Sequence, residues 1–367
     1  MRKAILAAIE LPKQEFAPTV LLDELTLLLE NLGIQTAGTV IQRRERPDSA
    51  FLLGKGKVDE IALFCKAAGA DLVVCNESLT PGQKSNLQHT IGLEVWDRPF
   101  VIMKIFEKRA RTSEAKLQVE MALCRYEIPH LKGLGAQMSR LGGGIGTRGP
   151  GETEFERHRR KLERRVRDIG RKLEAMKHKR ALQRDRRRKM DVPVVSLVGY
   201  TNSGKSSILR ALSGDTSLIA ENRLFSTLDT FMRRVDLPSG RTVLLSDTVG
   251  FIRDLPPGLV TAFRTTLEEI VASTFLIVVL DISTTDVQEI RDVVEHTLHE
   301  IGAGEIPRLF VLNKIDLTSP EYLDATTARL GIDHSQSIAT SVLEKRGLHE
   351  LLDSMDLFLE KMEVSQI

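Results

Sequence analysis

The chain has 367 residues, 42% hydrophobic and 28% charged, with only 3 cysteines. That length supports two to three domains with cores of their own and excludes a disulfide-stapled mini-protein; so few cysteines, and an odd number, read as thiols in a reducing compartment. No apolar run approaches the ~18 residues needed to span a bilayer, since the longest, Phe275 to Leu280, stops at Asp281, and stable membrane insertion is not expected.

The net charge of +2 conceals a partition. Residues 1–156 balance at 20 basic against 20 acidic, 157–189 hold 17 against 4, and 190–367 hold 15 against 26. A basic block between a neutral and an acidic part is where a polyanion docks. Three units are expected: an α/β subdomain over 1–111, a paired-helix subdomain with a glycine-rich loop over 112–190, and a further domain over 191–367.

In the first unit, Arg2-Lys3 followed by Ala4 to Ile9 resembles a short signal peptide, but Glu10 breaks it too early, and a buried first strand is expected. The apolar stretches Lys3 to Ile9, Thr39 to Gln42, Asp71 to Cys75 and Leu93 to Trp96 alternate with helical patterns. The clearest helix is Val20 to Leu32, with Leu21, Leu22, Leu25, Leu28 and Leu29 on one face. Alternating strands and helices imply a small parallel sheet. Gly54-Lys55-Gly56-Lys57 falls where a helix begins; it is read first as a tight turn, and second as a set of amides suited to a phosphate.

In the second unit, Leu117, Met121, Cys124, Ile128 and Leu131 repeat at helical spacing, as do Leu162, Val166, Ile169, Leu173 and Met176. Two helices with matching seams should pair. Between them, Gly133 to Thr153 has 8 glycines and no apolar periodicity, so it builds no core of its own. It is either a connector or a loop whose glycines, beside Arg140 and Arg148, admit close backbone approach to a partner. A second helix continuing to Lys189 would be an arm about 50 Å long. Its lopsided charge fits phosphate neutralisation better than a solvated face, and its few aromatics argue against single-strand base stacking.

The third unit holds the chemistry. The apolar strand Pro193 to Val198 runs into Gly199, Tyr200, Thr201, Asn202, Ser203, Gly204, Lys205 and Ser206, and a helical pattern follows at Ile208, Leu209 and Leu212. This is a P-loop in spacing and context: backbone amides wrap a β-phosphate, Lys205 reaches the β and γ oxygens, and the Ser206 hydroxyl binds Mg²⁺. The strand Thr242 to Leu245 leads to Asp247, Thr248, Val249 and Gly250, where the aspartate holds Mg²⁺ through water and the Gly250 amide senses the γ-phosphate. The strand Leu309 to Leu312 leads to Asn313, Lys314, Ile315 and Asp316. There a carboxylate accepts the ring NH and exocyclic amine of guanine, which adenine does not offer. Ser341, Val342 and Leu343 follow another apolar stretch, where an amide would meet the guanine oxygen. Four loops, each at the carboxyl end of a strand and in this order, specify a P-loop GTPase domain over 191–367 that takes GTP and GDP.

Taken together with EAKLQVEMALCRYEIPHL (Glu114 to Leu131) and GIGTRGPGETEFERHRR (Gly144 to Arg160), the segments LFSTLDTFMRRVDLP and SDTVGFIRDLP resemble the HflX family of ribosome-associated GTPases. The resemblance covers nearly the whole chain. It implies an amino-terminal α/β subdomain, a long antiparallel helix pair, a GTPase domain, and binding to rRNA of the large ribosomal subunit. It also implies a first switch at Phe225, Ser226, Thr227, Leu228 and Asp229, with Thr227 as the second protein ligand of Mg²⁺ in the GTP state. Read from residues alone, Thr227 is one of several hydroxyls in that loop, with Ser226 and Thr230. Thr230-Phe231-Met232 departs from the family's usual Pro-Thr-Thr, and His158 stands where an acidic residue is usual.

Ras-like enzymes place a water-orienting glutamine where this chain has Phe251, which cannot hydrogen-bond the attacking water. Turnover by the protein alone should therefore be slow, with Lys205, Thr227 and Gly250 as its catalytic groups and the ribosome as the stimulating partner. The expectation is a cytoplasmic, partly ribosome-associated monomer that splits stalled or stressed ribosomes into subunits. Two rivals are a non-catalytic RNA-binding or assembly scaffold that uses GTP for stability, and a basic surface for anionic membranes. The arm lacks the bulky aromatic face that the second requires.

Overall fold

The computed structural model describes residues 2–14, 16–141, 150–189, 192–214, 224–225, 231–253 and 267–364, which form two units. One is built on Met1–Lys108 and Lys116–Glu174; the other takes in Arg109–Ala115, Ala175–Leu255 and Phe263–Ile367.

The first unit alternates β1 (Lys3–Glu10), α1 (Pro18–Leu32), β2 (Gln35–Arg43), α2 (Lys55–Ala68), β3 (Leu72–Cys75), α3 (Pro81–Ile91), β4 (Glu94–Asp97) and α4 (Arg98–Arg109). The sheet order is β2-β1-β3-β4 and every pair is parallel. β1 is central, and Ala4 to Ile9 are all buried, as expected of a parallel strand covered on both faces. One face packs Ile5, Ala7, Ile9, Val73, Cys75 and Val95 with Val58, Ile61 and Leu87. The stripe predicted on α1 is buried throughout: Leu21, Leu22, Leu25, Leu28 and Leu29. Pro18 opens that helix, where its missing N–H costs nothing, and Gly33 closes it at φ 76°. Thr80 and Gln83 form a capping box at the start of α3. Gly54 precedes α2 as its N-cap, so the Gly54-Lys55-Gly56-Lys57 stretch is a helix start.

Arg98, 1% exposed, reaches from the start of α4 to Glu24 of α1 at 2.6 Å and to Asn76 at 3.2 Å. Next to it, Asp97 accepts from Leu79 N, Phe100 N and the Tyr126 hydroxyl. Burial and that carboxylate hold the Tyr126 phenol far above its ordinary range.

Tyr126 lies on α5 (Ser113–Leu141), which precedes α6 (Pro150–Lys189). Of the predicted seams, Met121, Cys124, Ile169 and Leu173 are buried and Leu117, Ile128, Leu131, Leu162, Val166 and Met176 are half-buried, while Gln118, Val119, Ala122 and Leu123, which the spacing did not single out, are buried on α5 as well. Arg165 pairs in a bidentate fork with Glu120, Nε at 2.5 Å and Nη2 at 2.7 Å. The helices run further into the glycine-rich stretch than its lack of periodicity predicts. Leu134, Ala136, Gln137, Met138 and Arg140 are strong helix formers, and extending an existing helix adds one hydrogen bond per residue fixed. Pro150 suits a first helical position. Gly142 to Gly144 and Arg148 lie outside the described residues.

The second unit contains β5 (Val194–Gly199), α7 (Lys205–Ser213), β6 (Phe231–Asp236), β7 (Thr242–Asp247), β8 (Phe275–Asp281), α8 (Val287–Glu300), β9 (Arg308–Asn313), α9 (Pro320–Leu330), β10 (Ser337–Thr340) and α10 (Leu348–Val364). The order is β10-β9-β8-β5-β7-β6, parallel except for the edge strand β6, which runs antiparallel to β7. One face of the sheet, with Val195, Leu197, Ile277, Val279 and Val311, packs on Ile208, Leu209, Leu351 and Met355. The chain leaves β5 for β6 and β7 on one side and returns to β8 on the other. That reversal opens a crevice at the carboxyl ends of β5 and β8. Among the described residues, no helix is long and apolar enough to cross a membrane.

Candidate nucleotide site

The loop after β5 occupies that crevice. Gly199 has φ 147°, and a Cβ there would lie 2.3 Å from the Val279 carbonyl oxygen of β8. Gly204 has φ 103°, and its Cβ would lie 2.1 Å from Asn313 Nδ2. Both positions need glycine twice over, for backbone angle and for space. Gly204 is the N-cap of α7, so the loop delivers free helix amides where an anion binds. Thr201 Oγ1 and Ser203 Oγ are buried without a hydrogen-bond partner among the described residues.

Lys205 opens α7 and is 5% exposed. Its Nζ donates to Gly199 O at 3.1 Å and Tyr200 O at 2.7 Å. Burial lowers its pKa to about 8, against the opposing pull of Asp247. The next residue, Ser206, donates its hydroxyl to Asp247 Oδ2 at 2.6 Å, so the end of β7 and the start of α7 meet over one hydroxyl and one carboxylate. That pair suits a hard cation with oxygen ligands: the hydroxyl as a direct ligand, the carboxylate one water away.

Beyond Asp247, Thr248 donates to Leu197 O at 2.7 Å. Gly250 fits so closely that a Cβ would lie 2.8 Å from Thr201 Cα. Phe251, 2% exposed, is bonded through its backbone to the phosphate loop, with Phe251 N donating to Gly199 O at 3.0 Å and Thr201 N donating to Phe251 O at 2.8 Å. Its side chain is thus buried, and its main chain docks the segment after β7. Val249 is also buried.

The loop after β9 is tied to the same place. Asn313 donates from Nδ2 to Ser203 O at 2.8 Å and accepts from Thr340 Oγ1 at 3.1 Å, joining the loops after β5 and β9 to the end of β10. Lys314 follows at φ 67°, then the single turn Ile315–Leu317 that carries the half-buried Asp316. Lys314 Nζ lies 2.6 Å from Asp281 Oδ2, while Asp281 Oδ1 accepts from Ser283 N at 3.0 Å and Ser283 Oγ at 2.6 Å. After β10, Ser341 pairs through its backbone with Arg346, its hydroxyl accepts from Glu344 N at 3.1 Å, and Leu343 is 84% exposed. Phe225 is buried; Ser226, Thr227, Leu228 and Asp229 lie outside the described residues.

Sequence reasoning passed over Asp281, the linking role of Asn313, and Arg253. Asp281 had a signal: it ends an apolar strand at the same sheet edge as Asp247 and Asn313.

Residues 20–107 match the family described as GTP-binding GTPase N-terminal, 109–187 the GTP-binding GTPase middle region, and 194–314 the 50S ribosome-binding GTPase. Over 366 residues the chain is 44% identical to GTPase HflX of Caldanaerobacter subterraneus subsp. tengcongensis, covering 99% of this chain and 82% of that protein. The chain belongs to the HflX family of GTPases. The GTPase HflX of Escherichia coli is 42% identical over 296 residues, 81% of this chain and 69% of its own. A GTP-binding protein of the archaeon Sulfolobus solfataricus, solved in complex with GDP, shares the fold at 25% identity and a TM-score of 0.50, covering 99% of this chain and 100% of that one. The resemblance read from the motifs is thereby borne out, as is the α/β fold ending in a P-loop GTPase domain.

Proposed function

We propose that the chain binds GTP with Mg²⁺ at the carboxyl edge of the second sheet, hydrolyses it slowly alone, and uses the cycle on the large ribosomal subunit to separate stalled or stressed ribosomes. The observation that carries the GTPase reading is the convergence of the Lys205, Asp247 and Asn313 loops, tied by the Ser206–Asp247 and Asn313–Ser203 bonds.

In this reading Gly199 to Ser206 wrap the β-phosphate and Lys205 exchanges its backbone carbonyls for β and γ oxygens. Ser206 and Thr227 would hold Mg²⁺, with Asp247 holding it through a water, and the bound cation would supply neutralisation of charge on the phosphates. The Gly250 amide meets the γ-phosphate. Asp316 takes the two guanine donors, Lys314 is steadied beside the base by Asp281, and the turn Ser341 to Leu343 offers an amide to the guanine oxygen. Phe251 orients no water, so the ribosome supplies or orders what is missing, a gain of about 10³ to 10⁵ by analogy with other GTPases. The basic helix α6 contributes phosphate contacts to rRNA. The protein works as a cytoplasmic monomer, partly ribosome-bound. The descriptions of its relatives as GTPase HflX and of the matched family as 50S ribosome-binding support this reading.

Two measurements test it. Asp316→Asn replaces one guanine acceptor by a donor and should weaken GTP binding by about 1 to 3 kcal/mol in calorimetry; unchanged affinity sinks the base assignment. Sucrose-gradient profiles of ribosomes with the protein and GTP, a nonhydrolysable analogue or GDP should show subunits released with the triphosphate forms. Ribosomes that stay joined in all three, with no stimulated phosphate release, would favour the scaffold reading.

A further inference from the structure

Arg253 is a buried cation that none of the roles above uses. It is 4% exposed, two residues past Phe251. Its guanidinium pairs through Nη2 with Asp286 Oδ2 and lies over the Tyr200 ring, 5.7 Å from the centroid. Its backbone N–H donates to the Tyr200 hydroxyl oxygen at 3.0 Å. Asp286 is the N-cap residue of α8, where an aspartate ordinarily accepts from a helix amide; here it makes no side-chain cap bond and turns to the arginine. Burying a guanidinium is costly, and the aspartate and the aromatic face offset part of that cost.

The arrangement joins three parts of the unit. Tyr200 is the second residue of the phosphate loop, and it bridges in parallel to Phe251. Phe251 is anchored to the phosphate loop by the bonds Thr201 N to Phe251 O and Phe251 N to Gly199 O, and the Arg253 contacts anchor the same segment two residues further on. Gly250 directly precedes these anchors and packs against Thr201. A backbone amide stabilises developing charge only if it is oriented beforehand.

We infer that Arg253 is a positioning residue for GTP turnover: clamped by Asp286 and Tyr200, it fixes Gly250–Phe251 on the phosphate loop and so sets the Gly250 amide for the γ-phosphate. This rests on the GTPase reading above. It goes further in predicting discrimination between the two nucleotides, because GDP has no γ-phosphate for the clamped segment to meet. Loss of the clamp should leave GDP binding alone and slow GTP chemistry.

The test uses the full chain with Arg253→Gln, Asp286→Asn, their combination, and Arg253→Lys. Single-turnover GTP hydrolysis should fall about 10²-fold in Arg253→Gln and in Asp286→Asn, the cost of misplacing a group by about 1 Å. GDP affinity by calorimetry should stay within about twofold of the parent. The double variant should be no worse than either single, since both break one clamp, and Arg253→Lys should recover part of the rate by keeping the charge. Hydrogen exchange on the nucleotide-free protein should quicken at Thr201 and Phe251. Parent-like hydrolysis overturns the inference, as does an equal fall in GDP and GTP affinity, which marks a merely structural pair. A parent that binds no GTP would instead sink the GTPase reading; the exchange data, which need no nucleotide, tell the two failures apart.

Discussion

In the free protein the Lys205 ammonium rests against the carbonyls of Gly199 and Tyr200, and burial brings its pKa down from 10.5 to about 8. A polyphosphate beside the same nitrogen favours the charged form and raises the pKa again. Nucleotide binding should then take up protons wherever the free lysine is partly neutral: about half a proton at pH 8 and about a tenth at pH 7. Calorimetry of GDP binding in two buffers of different ionisation enthalpy reads that uptake directly, and Lys205→Met should abolish it. The sign for stability follows from the same shift. Between about pH 8 and 10.5 the unfolded chain keeps a proton that the folded lysine has lost, so the cost of burying the charge is present in full below that window and disappears as pH rises through it. Across the window the free parent should gain up to about 3 kcal/mol on Lys205→Met in denaturant unfolding. No difference in proton uptake between parent and variant at pH 8, with GDP binding retained, would refute the reasoning, and so would a stability gap that widens in the opposite direction.

Gly204→Ala places a methyl 2.1 Å from Asn313 Nδ2 at φ 103°. Strain and the lost Asn313–Ser203 bond should together cost about 2 kcal/mol or more of folding stability and weaken GDP binding; a parent-like unfolding midpoint would show that the loops are not so tightly joined. In the first unit, Arg98→Met strands Glu24 in the core and should cost about 3 to 5 kcal/mol, most of it recovered by adding Glu24→Leu. Denaturant unfolding of both variants checks this, and equal loss in the two would mean that the pair is not the source. Replacing Arg186, Arg187, Arg188 and Lys189 by Gln should flatten the salt dependence of ribosome pelleting, by up to about 3 in log–log slope, while leaving GTP binding by the free protein intact. A parent-like slope would return that charge to solvent.

Much of the nucleotide site was legible in the amino-acid order because phosphate binding draws on consecutive backbone amides. Gly199 to Ser206 must be contiguous to make the loop, and Asp247 and Asn313 must end strands to reach it, so strand-then-motif spacing carries the chemistry. The same holds for α1, where five leucines at helical spacing commit one face to burial before any partner is known. The charge block over 157–189 is likewise a property of composition.

Tertiary structure alone decided what meets across distance. Asn313 and Ser203 are 110 positions apart, and only the placing of β8 between β5 and β9 brings their loops within a hydrogen bond. Local periodicity says that each strand exists and is silent about its neighbours, since sheet order is set by how whole faces pack. Asp281 beneath Lys314, Glu24 beneath Arg98 and Asp286 beside Arg253 share that character: each carboxylate reads in sequence as an ordinary polar residue, and becomes a specific partner once the fold sets a cation against it and withdraws part of the pair from water.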